Sequence, residues 1–86
     1  MPRLAINIES HGDLAIVAWD VGTVLERIGE EQDADIEVQN EETITVDYPR
    51  RRRLSLATVR EIQHLLLLEC PGSKLTVDLI ADWHND

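Results

Sequence analysis

The stretch DIEVQNEETITVDY, residues 35–48, contains two segments in which apolar and polar residues alternate. The apolar members of the two segments are Ile36, Val38, Ile44, Val46 and Tyr48. Successive side chains of a strand point to opposite faces, so the alternation predicts two strands, each with one apolar face. Asn40 and Glu41 lie between the segments and supply a polar turn. We therefore predict an antiparallel hairpin in which Ile36 and Val38 point inward, while Ile44, Val46 and Tyr48 share one face.

Three more segments flank the hairpin and are interpreted as strands. Residues 4–9 and 75–83 alternate with a period of two, and Ile80 is the exception in the second segment. The apolar residues predicted to share one face are Leu4, Ile6 and Ile8 in the first segment and Leu75, Val77, Leu79, Ala81 and Trp83 in the second. Residues 48–51 read as a turn because Pro49 fixes φ at its second position. Arg53–Leu56, which follows that turn, is interpreted as a short strand.

Two segments have the helical period instead. The apolar positions of the first fall on one helical face and are Leu14, Val17, Ala18, Val21, Val24, Leu25 and Ile28. Ser10 and Asp13 precede them with the spacing of a capping box. In a rival interpretation, residues 14–19 form a strand paired with residues 4–9, and the helix begins near Asp20 or Thr23. The second helix is predicted over residues 58–69, because Thr58 and Glu61 form a capping box and Pro71-Gly72 ends it.

The element order is therefore βαββ followed by βαβ in one domain, residues 1–86. Nearly every predicted strand is apolar on one face only, which is typical of an antiparallel sheet with one covered face. We predict an α+β two-layer sandwich, with a mainly antiparallel sheet of four or five strands and both helices on one side. If Arg53–Leu56 is a loop, the arrangement is ferredoxin-like.

Composition limits the protein class. The chain has 86 residues and one cysteine, Cys70, so an internal disulfide is excluded. No apolar run reaches the roughly 18–20 residues of a membrane span, and the N-terminal residues do not resemble a secretory signal. We therefore expect a soluble cytoplasmic protein without a membrane partner.

The net charge of −9 is unevenly distributed. Residues 26–47 contain nine acids and one base, Arg27, and so carry −8, whereas Arg50–Arg53 follow with +4. We interpret the acidic segment as one charged face that binds a basic protein surface. The acids predicted to bind the partner are Glu30, Glu31, Asp33, Asp35, Glu37, Glu41 and Glu42. Such a chain is repelled by polyphosphate at long range, so direct binding of nucleic acid is not expected.

Residues with catalytic or metal-binding potential are few and poorly grouped. His64 has Glu61 at helical spacing, which is a common exposed pair, and Cys70 ends an apolar helix face, where a buried structural thiol is the simpler interpretation. Asp78 and Asp82 share a strand face with His84, which is typical of a solvated face. The serines lack the context of a nucleophile elbow, and no Gly-rich phosphate loop occurs. We predict no enzymatic activity, no metal and no cofactor.

Several apolar residues fall outside the predicted core faces. Ile16 and Trp19 leave the inner face of the first helix, and Leu67 and Leu68 leave that of the second. Tyr48, Ile80 and Trp83 are expected to add apolar area near the sheet. Apolar anchors within an acidic surface are typical of a protein–protein contact, so Trp19 and Leu68 are predicted to bind a partner protein or a second copy of the chain.

The central part of the chain, about residues 20–66, resembles the coupling (effector) proteins of soluble di-iron monooxygenases. The resemblance rests on the apolar–polar alternation of the predicted strands, the positions of the turns and the acidity. The stretches that carry it are Ile36-Glu37-Val38-Gln39, Thr43-Ile44-Thr45-Val46-Asp47 and Arg53-Leu54-Ser55-Leu56 with Thr58-Val59. The chain differs from that family at Gln32-Asp33, where Asn-Pro is frequent. The resemblance implies a cofactorless subunit that docks on an oxygenase and alters reactivity at its iron centre.

The sequence thus predicts a non-enzymatic acidic protein that binds and modulates a partner protein, with an oxygenase as the partner that the resemblance implies. The alternative is an acidic inhibitor of a basic nucleic-acid-binding protein, such as an antitoxin, an immunity protein or a phage anti-defence protein of the anti-CRISPR type. A small regulatory or dimerisation domain is the third class.

Overall fold

A computed structural model of the chain describes residues 2–10, 14–51, 53–72 and 74–82. These residues form, in chain order, β1 (Pro2–Ser10), α1 (Leu14–Arg27), β2 (Asp35–Val38), β3 (Thr43–Asp47), α2 (Leu56–Glu69) and β4 (Lys74–Asp82). A 3₁₀ turn at Glu31–Asp33 connects α1 to β2. Within this described part, neither helix has the length and hydropathy needed to cross a bilayer.

The sheet confirms the predicted α+β class. Its strand order is β2-β3-β1-β4, and every neighbouring pair is antiparallel. The alternate apolar residues of β1, β3 and β4 lie in one core with the buried residues of both helices, so both helices cover the same face. This βαββαβ order in an antiparallel sheet is the ferredoxin-like arrangement expected if Arg53–Leu56 is not a strand.

The first helix follows the longer of the two interpretations, because residues 14–19 belong to α1 and not to a strand. The capping box predicted from Ser10 and Asp13 remains a prediction, because Asp13 lies outside the described residues. The helix ends in a Schellman motif at Gly29, whose φ of 75° suits a residue without a Cβ. The Glu30 amide donates to the Leu25 carbonyl at 2.8 Å, and the Gly29 amide donates to the Glu26 carbonyl at 3.1 Å. This ending fixes where Glu30 emerges from the helix.

The second helix begins earlier than predicted. Ser55 is its N-cap, and the Ser55 Oγ accepts a hydrogen bond from the Thr58 amide at 3.2 Å. The predicted strand at Arg53–Leu56 was therefore wrong, as was the placement of the helix start at Thr58. Leu54 is buried in the loop before the cap, whereas Leu56 is exposed in the first turn.

The core lies between the sheet and the helices. Its residues are Leu4, Ile6, Ile8, Val17, Val21, Val24, Leu25, Ile44, Val46, Tyr48, Leu54, Val59, Ile62, Leu66, Cys70, Leu75 and Val77. Tyr48 has no exposed surface, so its predicted contribution to the apolar surface was wrong. The Tyr48 amide donates to the Pro2 carbonyl at 3.0 Å and so continues the ladder between β1 and β3, which holds the ring in the core.

A bulge in β4 explains why Ile80 breaks the sequence alternation. Leu79 lies opposite Leu4 and Ala81 lies opposite Arg3, so Ile80 is the extra residue of β4 at this point. The Ile80 side chain is 55 % exposed, as predicted. The predictions for Trp83 and His84 lie outside the described residues.

Burial raises the pKa of Tyr48 to about 12, and the negative charge of Glu30 adds to that effect. Tyrosine in an unfolded chain ionises near pH 10, so the stabilising effect of protonated Tyr48 is present below that pH and is lost as the pH rises toward 12. Because the chain has one tyrosine, tyrosinate absorbance reports this group alone. We expect a midpoint well above pH 10, coupled to loss of the near-ultraviolet circular dichroism. A reversible midpoint near pH 10 in the folded protein would show that Tyr48 is not buried.

Candidate functional site

The apolar residues of β2 are less covered than predicted. Ile36 lies opposite Val46 and Val38 lies opposite Ile44, so both are on the helix-covered side of the sheet. Nevertheless, Ile36 is 37 % exposed and Val38 is 47 % exposed, which corrects their assignment to the interior. β2 is the edge strand, and the helix layer covers it only in part. These two residues form an apolar strip at the edge of the sheet.

The strip continues to a shallow groove on α1 through Gly22. A Cβ added to Gly22 would lie 3.8 Å from Cδ1 of Ile36, an ordinary van der Waals distance, so α1 packs next to β2 at this position. The groove has a volume of about 240 Å³ and is lined by Ala18, Trp19, Gly22, Thr23, Glu26 and Glu31. Trp19 is 78 % exposed, which agrees with its predicted position outside the core face. We call Trp19, Gly22, Glu26, Glu31, Ile36 and Val38 the α1–β2 surface.

Two of the acids predicted to bind a partner are engaged within the chain. Arg51 Nη1 donates to Glu30 Oε1 at 2.9 Å, and Arg51 Nη2 donates to Asp33 Oδ2 at 3.0 Å. Its guanidinium carbon lies 5.4 Å from the centroid of the Tyr48 ring, a distance typical of a cation–π contact. The hydrogen bond to Glu30, followed by the one to Asp33, raises the pKa of Arg51. Glu30 and Asp33 therefore stabilise the loop between α1 and β2.

Two other predicted acids lie on the uncovered face of the sheet. Asp35 and Glu37 alternate with Ile36 and Val38 along β2. In the strand register they lie opposite Asp47 and Thr45 of β3. Asp47 binds Arg3 across the sheet, with 2.5 Å between Arg3 Nε and Asp47 Oδ1. Asp35 and Glu37 are both exposed, so β2 has an apolar side and an acidic side.

The remaining predicted residues do not join these groups. Glu41 and Glu42 are exposed in the turn between β2 and β3, next to the polar ends of the strands. Leu68 is 63 % exposed on α2, as predicted, with Leu67 beside it. An ion pair connects the two helices, with 2.8 Å between Arg27 Nη1 and Glu69 Oε1.

The acids thus do not form the single face that was predicted. Of the nine predicted partner-binding residues, the structure brings Trp19 and Glu31 into one groove and places Asp35 and Glu37 on the nearby edge strand. Sequence reasoning missed Gly22 and Glu26 as groove residues, and it missed the exposure of Ile36 and Val38. The exposure of Ile36 and Val38 has no local signal in the sequence, because their alternation is the same as that of buried strand residues.

The cysteine is not prepared for nucleophilic chemistry. Cys70 is buried, and its thiol donates to Asp20 Oδ2 at 3.0 Å across the α1–α2 contact. Burial, followed by the hydrogen bond to Asp20, raises the pKa of Cys70 to about 12, so the thiolate is scarce at neutral pH. No group of three potential metal-ligating side chains is found among the residues that the structure describes.

The role of Arg51 predicts a stability difference between two neighbouring arginines. Arg51→Met leaves the carboxylate of Glu30, whose side chain is 12 % exposed, without its partner, and should lower the free energy of unfolding by roughly 1–3 kcal/mol. Arg50→Met removes the same charge from an exposed turn residue and should change the free energy of unfolding by less than about 0.5 kcal/mol. Urea unfolding measures both, and equal effects would contradict the assigned role of Arg51.

Comparison with known proteins gives no family assignment. No protein-family model matches the chain, and no curated protein or solved structure matches it.

Proposed function

We propose that this chain is a non-enzymatic acidic module that binds a basic partner protein on its α1–β2 surface. The observation that carries the proposal is the exposure of Trp19, 78 %, at a groove that also contains Glu26 and Glu31. Exposed tryptophan is costly to leave in water and is enriched among residues that dominate protein–protein binding. Gly22 connects this groove to the half-exposed Ile36, which extends the apolar area beyond one side chain.

The charge of the chain supports a basic partner. With a net charge of −9, the protein attracts a positively charged protein at long range and speeds its association. The acids that line the groove with Trp19 are not those engaged by Arg51, because Glu26 and Glu31 line the groove while Glu30 and Asp33 bind the arginine. The surface thus combines an apolar anchor with an acidic rim, which favours binding of a mixed apolar and basic protein surface.

Two forms of this function differ in their effect on the partner. A coupling role requires that binding changes turnover by an oxygenase component, in line with the resemblance of residues 20–66. An inhibitor role requires that binding displaces nucleic acid from a basic protein. The internal ion pairs of Glu30, Asp33 and Asp47 reduce the acidic area available to imitate a polyphosphate, so we place the coupling or modulating role first.

The proposal is tested by calorimetric titration of the purified chain against the proteins encoded beside its gene. We expect one of them to bind, and we expect Trp19→Ala to weaken that binding at least about tenfold, because an anchor residue is lost. The affinity should also fall as the salt concentration rises, because the rim charges become screened. Since Trp19 is largely exposed, the variant should remain folded.

Leu68→Ala is the matched control, because Leu68 is a similarly exposed apolar residue on α2. It should leave the affinity within about twofold of the original value. Binding that is lost in Leu68→Ala and retained in Trp19→Ala would contradict the α1–β2 surface as the binding site.

A further inference from the structure

We propose that the partner adds a β-strand to the outer edge of β2, through an extended segment in which Lys or Arg alternates with apolar residues. This inference rests on the proposed binding function and specifies how the partner is held. Strand addition supplies affinity through main-chain hydrogen bonds and specificity through alternate side chains.

The hydrogen-bonding groups of β2 are arranged for such an addition. The Gln39 amide donates to the Thr43 carbonyl at 3.0 Å, so Gln39 and Thr43 are a hydrogen-bonded pair of the ladder. Every second pair along the register is of the same kind, which makes Glu37 with Thr45 and Asp35 with Asp47 the next two hydrogen-bonded pairs. In an antiparallel ladder, alternate residues bond to alternate sides. The N–H and C=O groups of Ile36 and Val38 therefore point away from β3, and no other strand of the described chain pairs with them.

The opposite edge of the sheet is protected. On the outer side of β4, the Val77 amide donates to Oε1 of Gln63, which reaches down from α2, at 3.4 Å. The register of β4 against β1 also shifts twice, at Arg3/Leu4 and at Ile8/Ser10, and such irregularities discourage a further strand. Of the two edges, β2 is thus the one that a new strand can join.

The side chains of β2 specify what the new strand must carry. Directly opposite residues of neighbouring strands share a face. A strand beside β2 would place one set of side chains next to Ile36 and Val38, on the side of the sheet where Trp19 is exposed on α1. The other set would lie next to Asp35 and Glu37. Apolar residues suit the first position, and Lys or Arg suits the second.

The same charges disfavour a second copy of the chain as the occupant. Two antiparallel registers bring the outward-facing main-chain groups of two β2 strands opposite each other with the greatest overlap. One register places Asp35 opposite Glu37 of the other copy, and the other places Glu37 opposite its own equivalent. Like charges directly opposite each other are destabilising, and both copies carry a net charge of −9. A basic segment from a different protein removes this repulsion.

The test uses a fluorescently labelled peptide in which Lys alternates with Val and Ile, and a control peptide of the same composition with its lysines grouped at one end. Fluorescence anisotropy should show that the alternating peptide binds at least about tenfold more tightly, because the grouped peptide cannot satisfy both sides of β2. In the bound state, the amide resonances of Ile36 and Val38 should shift most. Equal affinities of the two peptides, or no binding of either, would overturn the proposal.

Two pairs of variants test the edge directly. Val38→Pro removes one outward N–H and leaves the ladder to β3 intact. It should weaken binding of the alternating peptide at least about tenfold. Val38→Thr keeps the N–H and should change the affinity for that peptide less than about threefold. Glu37→Lys should weaken binding at least about tenfold at low salt, whereas Glu61→Lys makes the same charge change on α2 and should not. Far-ultraviolet circular dichroism of each variant confirms that it is folded.

Two further outcomes would overturn strand addition. One is a dimer of the chain that Val38→Pro dissociates in sedimentation velocity, since a second copy would then occupy the edge. The other is a partner protein whose binding requires Trp19 and is unchanged by Val38→Pro. In that second case the proposed binding function stands and only its strand-addition mode fails.

Discussion

The ion pairs of Arg51 with Glu30 and Asp33 are the interaction on which the position of β2 depends. Arg51 follows β3, whereas Glu30 and Asp33 belong to the connection between α1 and β2, so the pairs join two segments that are far apart in the sequence. Ile36 and Val38 are only partly covered, at 37 % and 47 % exposed, so hydrophobic burial contributes less to holding β2 than to holding the central strands. Its ladder to β3, together with the Arg51 contacts and the Schellman ending of α1, must supply the order instead.

The properties of the α1–β2 surface follow from that arrangement. β2 is held at the edge of the sheet and is only partly covered by the helix layer. The residues that continue the core pattern, Ile36 and Val38, consequently remain half-exposed, with Trp19 on the neighbouring helix. On the other side of the strand, Asp35 and Glu37 are exposed. One short strand thus presents an apolar side, an acidic side and unpaired main-chain groups, which together suit recognition of a basic extended segment.

Local periodicity was sufficient to predict β1 to β4 and the exposure of Trp19 and Leu68, and it gave two alternatives for residues 14–19, of which the structure confirms the helix. It failed at Ser55, because the Thr58–Glu61 capping box is the stronger local signal and because Leu54 and Leu56 alternate like strand residues. It also failed at Ile36 and Val38, since their exposure depends on how far the helix layer extends. The internal role of Glu30 and Asp33 depends on Arg51, a partner at least 18 residues away that the sequence pattern does not specify.

The central claim is that β2 is an ordered strand whose outer edge is open. Amide hydrogen exchange, followed residue by residue by nuclear magnetic resonance, tests it most directly. The account predicts that the amides of Ile36 and Val38 exchange within about tenfold of the rate of an unstructured chain, whereas those of Ile44 and Val46, which face β1 in the ladder, are protected roughly a thousandfold or more. Strong protection of Ile36 and Val38 in the free protein would contradict it, because their N–H groups would then already have partners.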